Sequence, residues 1–417
     1  MARLTIELAP ATSLPRRFLL SAPVWGAIGG VLLASGDGAA LLTRWRPATI
    51  ALVHVFTLGV LGNIMLGSLL QFLPAAMAIR VRGGSRCAAA LHGLFNLGTV
   101  LLVVGLREDW PTALTAAAVL LPAAFLLLGA MTLPGLLAST GQYLLRAGIA
   151  LALGFAMLTA LLGGLLAWGL GGRLSMPWPA LVDIHASWGV LGWIVVLLSS
   201  VARVVMPMFQ GTGMISAPLH VAWLGSLVAM LLLGAWQRLV HDDGTWLAAT
   251  IVVHVSLLAI AVSWLQSRAT TSSRKTLRWS WRLGFAILAA CVWMLPHGPR
   301  DGLLAALVGL GLALPWLVVG MAMEIVAFLG WIELHRRCGR GIRLPGIQRL
   351  LPEADKTRAL LMLVPGVLLA AAAAYWPATW AVRCAGAVMT AAWLLLWRAM
   401  HGVSLRVRDF LHAETSR

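Results

Sequence analysis

Charge is what this sequence most lacks. Only 11% of its 417 residues are charged, against roughly 25% in a water-soluble domain, and this excludes a globular fold designed for water. Apolar residues make up 60% of the chain, and mean hydropathy is +0.90. Acidic residues number 14 against 31 basic ones. Cysteine is sparse: Cys87, Cys291, Cys338 and Cys384 stand far apart, with no CxxC or CxxCH among them. That excludes covalent c-type haem attachment and a CxxC zinc site, and the four are expected to be small buried hydrophobes. Tyrosine occurs twice. Ten-residue alternating strands, the mark of a membrane barrel, do not occur. The N-terminal stretch MARLTIELAPATSLPRR has no small-residue cleavage site, so the first apolar run is expected to remain as a span.

Long apolar runs are what the chain has instead. One reads FLLSAPVWGAIGGVLLAS from Phe18, another ALVHVFTLGVLGNIMLGSLLQFLPAAM from Ala51. About 20 apolar residues carry a helix across the hydrocarbon core, and a helix satisfies its own backbone where lipid cannot. Spans are expected at roughly 18–36, 48–77, 87–106, 111–132, 142–170, 179–208, 216–237, 244–267, 281–296, 303–335, 358–376 and 379–399. The fold class is therefore all-α, a polytopic bundle of about twelve transmembrane helices forming one membrane domain with a short tail, 400–417.

The net charge of +17 is explained by topology rather than by nucleic acid, because the basic residues fall in short loops between spans. Loops after even spans hold Arg80, Arg82, Arg86, then Arg268, Arg274, Lys275, Arg278, then Arg336, Arg337, Arg340, Arg343 and Arg349. Loops after odd spans hold few, and Trp110, Trp178, Trp246, Trp376 and Trp380 mark that opposite end. The positive-inside rule places both termini in the cytoplasm, with a bacterial inner membrane as the expected location.

The chain also repeats. HVFTLGVLG from His54 in the second span answers HASWGVLG from His185 in the sixth, 131 residues on, and Pro74 answers Pro207. The following spans open with His92 and His220. The period is four spans, which makes three units of about 18–132, 142–267 and 281–399. No histidine occupies the matching place in the tenth span.

Ionisable side chains inside a span are functional candidates because they are costly there. His54 and His185 share a depth, about six residues inside one end, hence roughly 9 Å. His185, Gly189 and Gly192 fall on one helical face, leaving a shelf that a flat macrocycle or a close neighbouring helix would use. A neutral imidazole on a rigid helix is the usual haem b ligand; interhelical hydrogen bonding is the plainer role. His92 and His220 share a second depth and are candidates for a separate metal site, with interfacial hydrogen bonding as the alternative. His254, mid-span, reads as interhelical glue. Arg203, five turns below His185, would snorkel or hold a propionate or other anion. Asp183 would bond a neighbour or cap a turn, Glu324 is either buried and functional or, the preferred reading, a residue of the inner interface, and Gln71 would satisfy backbone freed by Pro74.

These features together resemble subunit I of the haem–copper oxidase superfamily. HASWGVLGWIVVLLSSVARVVMP is similar to its H-x-H-x(4)-G-W helix, and HVFTLGVLGNIMLGSLLQFLP to its second helix, whose histidine binds low-spin haem. The resemblance implies haem b on His54 and His185, Arg203 as a propionate partner, copper as the alternative metal, and other respiratory membrane subunits as partners. Ser187 stands where the family's second histidine would be, no His-His pair exists for copper, and Tyr143 is one of only two tyrosines. Dioxygen reduction is therefore not expected. The twelve-span layout is also similar to that of haem and copper membrane proteins of the nitrite response. The resulting expectation is a haem- or metal-binding membrane protein in respiratory electron transfer, haem handling or the nitric-oxide response. A multi-helix transporter and a non-catalytic assembly subunit are the alternatives.

Overall fold

The computed structural model describes residues 9–173, 176–269, 275–339 and 341–415. The arginine-loop positions 274 and 340, and the side chain of Arg173, fall outside what it describes. Twelve helices are long and apolar enough to cross a bilayer: α1 (Ser13–Ala34), α2 (Pro47–Met77), α3 (Gly84–Arg107), α4 (Pro111–Ala138), α5 (Tyr143–Gly171), α6 (Trp178–Gln210), α7 (Ala217–Val240), α8 (Thr245–Ser267), α9 (Lys275–His297), α10 (Pro299–Arg337), α11 (Glu353–Tyr375) and α12 (Thr379–Glu414). No strand occurs among the described residues. The protein is thus an all-α, multi-pass membrane bundle. Large apolar side chains such as Val119, Leu161, Ile260 and Leu368 stand exposed. In water such a surface would be an aggregation liability; against lipid it is the ordinary outer face.

Three of these helices change winding part-way. Val55–Gly62 in α2, Trp188–Val195 in α6 and Gly309–Ala313 in α10 are π-helical. There the amides of Asn63, Val196 and Leu314 reach back five residues, to the carbonyls of Leu58, Leu191 and Gly309. The stretches fall on the two GVLG tetrads and on GLGLA, so the irregularity recurs every fourth span, with the period of the sequence repeat. Glycine is needed because the neighbouring helix comes close. A Cβ on Gly59 would lie 2.6 Å from the Trp25 ring of α1, and one on Gly192 would lie 2.5 Å from the Phe155 ring of α5. A fourth π stretch, Gly169–Arg173, winds the end of α5.

The chain divides into two compact units. The first holds α3 to α8 with the last part of α9. Its helices pair as antiparallel neighbours, α3 with α4, α4 with α5, α5 with α6, and α7 with α8. Asp183 at the start of α6 accepts from Arg238 near the end of α7 at 2.9 Å, and Arg238 also pairs with Asp242. In the loop beyond, the Thr245 hydroxyl and amide hold Asp243 below the usual carboxylate range.

The second unit holds α1, α2, the start of α9, most of α10, α11 and α12. Here α1 lies along α12, and α11 lies on the other side of α12. The 36 residues of α12 make it about 54 Å long, well beyond a hydrocarbon core of about 30 Å. The expected tail is therefore largely a continuation of this helix. Val403 and Val407 pack on Gly330 of α10, and Arg406 bonds the Leu350 carbonyl at 2.7 Å. Arg16 pairs with Glu333 at 2.6 Å, and Arg336 holds the Ala9 carbonyl at 2.6 Å. These bonds tie the N-terminal segment to the end of α10.

The crossing of α1 and α12 is closest at Gly386, where a Cβ would meet the backbone of Ala34 and Gly30. Backbone cannot swing aside as a side chain can. Gly386→Val is expected to destabilise the protein by about 1–3 kcal/mol or more through overpacking, read as a lower unfolding midpoint in detergent. Gly93→Ala in α3, with no atom within 4 Å, is expected to be neutral or slightly stabilising, since alanine is the better helix former.

Candidate functional site

The residues around His185 are set by α5 and α6. His185 lies in the last turn of the regular opening of α6, three residues before its π stretch begins at Trp188. Its Nδ1 lies 3.1 Å from the Thr159 carbonyl of α5. A carbonyl can only accept, so Nδ1 carries the proton and Nε2 the lone pair. Gly163, one turn further along α5, leaves room for the ring: a Cβ there would stand 2.8 Å from His185 Cε1. Two polar atoms nearby have no hydrogen-bond partner, the buried Thr159 hydroxyl and the Trp188 indole N–H. The expected shelf at Gly189 and Gly192 is taken by α5 itself, whose Thr159 methyl and Phe155 ring fill it. Of the two uses foreseen for that shelf, the structure shows the neighbouring helix.

His54 repeats the design in the second unit. It ends the regular opening of α2, and the π stretch starts at the next residue. Its Nδ1 lies 2.8 Å from the Ile50 carbonyl of its own helix, which again puts the proton on Nδ1 and the lone pair on Nε2. That is the tautomer found when imidazole binds a metal through Nε2, the other nitrogen being anchored by a carbonyl. Both rings are half-buried. As an Nε2 donor each imidazole has the chemistry of a metal or haem ligand, and the two orphaned atoms beside His185 would offer a bound group hydrogen bonds.

The remaining histidines differ. His254 is interhelical glue as expected: Nδ1 gives its proton to the Thr250 carbonyl at 2.9 Å, and Nε2 accepts from Ser226 of α7 at 3.1 Å. His92 is half-buried on α3, its carbonyl accepting from Asn96 at 2.9 Å. His220 is 3% exposed on α7, beside Trp223. Among the described residues no three His, Cys, Asp or Glu side chains converge as a metal site would require. Arg203 bonds the Ile215 carbonyl at 3.1 Å, in the loop after α6. Eighteen residues of helix put it about 27 Å from His185 along the axis, in another layer. The four cysteines are free, and only Cys291 is buried as expected; Cys87 and Cys338 are half-buried and Cys384 is exposed. Gln71 is buried, and neither end of its amide makes a hydrogen bond, so it does not serve the backbone around Pro74.

One charged cluster escaped the sequence reading. Glu324 of α10 and Lys356 of α11 are each 1% exposed and paired at 2.5 Å. Lys356 also meets Glu353 at 2.8 Å. Glu353 in turn accepts the Thr276 amide at 3.1 Å, at the start of α9, and the hydroxyls of Thr276 and Thr357 lie 2.8 Å apart. Glu324 is thus deeply buried rather than interfacial. Lys356 was hidden because LLPEADKTR reads as a polar loop, whereas α11 begins at Glu353 and winds the lysine inward within one turn. The i, i+3 spacing of Glu353 and Lys356, with an acid inside α10, was the available signal.

No known family of protein sequences matches the chain, and no curated protein is significantly similar to it. The site must therefore be argued from its own geometry.

Removing one partner of a buried pair strands the other charge. Lys356→Met is expected to cost about 3–5 kcal/mol, and adding Glu324→Leu should recover much of that loss. A double-mutant cycle on unfolding midpoints measures this. Single and double losses that simply add would show that the two residues are not coupled.

Proposed function

We propose that this chain is a haem-b-binding protein of the bacterial inner membrane, both termini cytoplasmic, with His54 and His185 as imidazole ligands. It would serve respiratory electron transfer, haem handling or the nitric-oxide response beside other respiratory membrane subunits, and copper is the alternative metal. The observation that carries the reading is a design used twice. Each imidazole donates its Nδ1–H to a backbone carbonyl, and each lies in the turn before a π stretch, one residue before it for His54 and three for His185, an irregularity frequent at functional sites.

Bound haem would supply a one-electron couple. The chain's own contribution is to hold each ring in one tautomer and one orientation, so that Nε2 is the ligand atom without a prior proton loss. Thr159 fixes the His185 ring from α5, and Gly163 leaves it space; Ile50 fixes His54 from within α2.

A second reading, a transporter, rests on a different observation. Carboxylates inside spans, paired with a lysine, mark ion pathways, and the Glu324–Lys356–Glu353 cluster supplies them. Helices interrupted by glycine and π winding are also usual in transporters.

The absorption spectrum of detergent-purified protein from haem-replete cells, oxidised and dithionite-reduced, separates the two. A Soret band that is lost or displaced in both His54→Ala and His185→Ala is the expected result. Colourless wild-type protein with no metal by elemental analysis would remove the haem reading and leave the transporter.

A further inference from the structure

The first unit has an end rich in arginine and bare of acid. Its six carboxylates, Glu108, Asp109, Asp183, Asp242, Asp243 and Asp301, all lie at the end marked by Trp110, Trp178 and Trp246. The ion pairs Arg107–Glu108, Arg238–Asp183 and Arg238–Asp242 lie there too. The other end carries Arg80, Arg82, Arg86, Arg146, Arg203 and Arg268. Most of these reach solvent or headgroups. Arg146 is satisfied by the carbonyls of Leu136, Ser139 and Gly141.

Arg203 is different. It sits seven residues inside the end of α6, half-buried, and only its Nη1 is used, on the Ile215 carbonyl. No carboxylate among the described residues lies within ion-pair distance of it. A guanidinium has five donors in a planar fork suited to an oxyanion. Two further polar groups stand unpartnered around the same loop. Gln210 falls on the same face of α6 as Arg203, two turns on, and is fully buried. Its Oε1 is occupied by Gln266 Nε2 at 2.7 Å, which leaves its own amide N–H group as the orphan. His220, on the first turn of α7, is 3% exposed with Nε2 unbonded. Its backbone amide bonds the Ser216 carbonyl at 3.1 Å, next in the chain to the Ile215 carbonyl that Arg203 holds. The loop 211–216, pinned by Arg203, joins these two helix ends. A buried water would satisfy the amide or the imidazole, but not the uncompensated cation.

We propose that Arg203, Gln210 and His220 form a binding site for a phosphate-type oxyanion, delivered either as free phosphate or as the headgroup of an anionic phospholipid. The anion supplies the countercharge that this end of the unit lacks. Arg203 provides charge and a bidentate fork, Gln210 an amide donor, and His220 the N–H of a neutral imidazole protonated on Nε2. The site is independent of the haem reading, since it uses neither His54 nor His185.

The full chain, purified in neutral detergent, is titrated with inorganic phosphate at constant ionic strength. Separately it is placed in nanodiscs of neutral lipid with and without phosphatidylglycerol. Thermal midpoint and native mass spectrometry report stabilisation and retained ligand. Wild type is expected to respond to at least one probe. Apparent affinity should fall about tenfold or more in Arg203→Gln and several-fold in Arg203→Lys, which keeps charge but loses the fork. Gln210→Leu should also weaken binding, while the exposed Arg86→Gln should bind as wild type does. A response to phosphate alone identifies a free anion, and a response to phosphatidylglycerol alone identifies a headgroup. Should Arg203→Gln fail to fold, Arg203→Lys and Gln210→Leu decide the matter. The proposal is overturned if neither probe acts on wild type, or if these variants bind as tightly as Arg86→Gln.

Discussion

A hydrocarbon core gives the backbone no hydrogen-bond partner, and the organisation of this protein follows from that. Polar side chains in the spans mostly bond their own helix four residues back. Thr57 donates to Val53, Thr99 to Phe95, Thr132 to Leu128, Ser200 to Val196, Thr250 to Trp246, and Asn96 to His92. His54 and His254 obey the same rule. Where α2 widens into π winding, Asn63 turns its amide onto the Gly59 carbonyl at 2.9 Å, serving backbone that the changed ladder leaves underused. A histidine in such a setting is held in a fixed tautomer by the same demand that satisfies a threonine. The anchoring that prepares an imidazole as a ligand is thus a by-product of life in lipid.

Because lipid is as apolar as leucine, helices here associate through close packing rather than through exclusion from water. Glycine does that work at chosen points. Gly26, Gly30 and Gly386 let α1 and α12 approach, with Trp393 lying over Gly26. Gly59 and Gly192 admit an aromatic ring from the preceding span into each π stretch. Each tetrad thus receives a ring within its π stretch, through its first glycine in α2 and its last in α6.

Charge obeys a harsher version of the constraint. Where ions are buried they are paired: Lys356 lies between Glu324 and Glu353, and Arg238 holds Asp183. The start of α9 adds a backbone amide to Glu353, at the positive end of a helix dipole. Arg203 stands against this background as a half-buried cation with one carbonyl partner and, among the described residues, no carboxylate.

The amino-acid order alone determined twelve helices, because a run of about 20 apolar residues has one economical conformation in a bilayer, but not every end: α9 and α11 start several residues early in polar sequence, and α12 runs to Glu414. It also determined the four-span period, through GVLG and the histidines 54 and 185. Tertiary structure decided what those residues touch. The shelf beside His185 was legible as glycines, but its occupant, Phe155 of α5, was not, because helical spacing describes one helix and not its neighbour. Lys356 was legible as a charge, yet its burial depended on where α11 begins and on Glu324, 32 residues away in sequence and in a different helix. Periodicity along a chain records which face a residue occupies; only packing in three dimensions supplies the partner that makes a buried charge, or an imidazole, affordable.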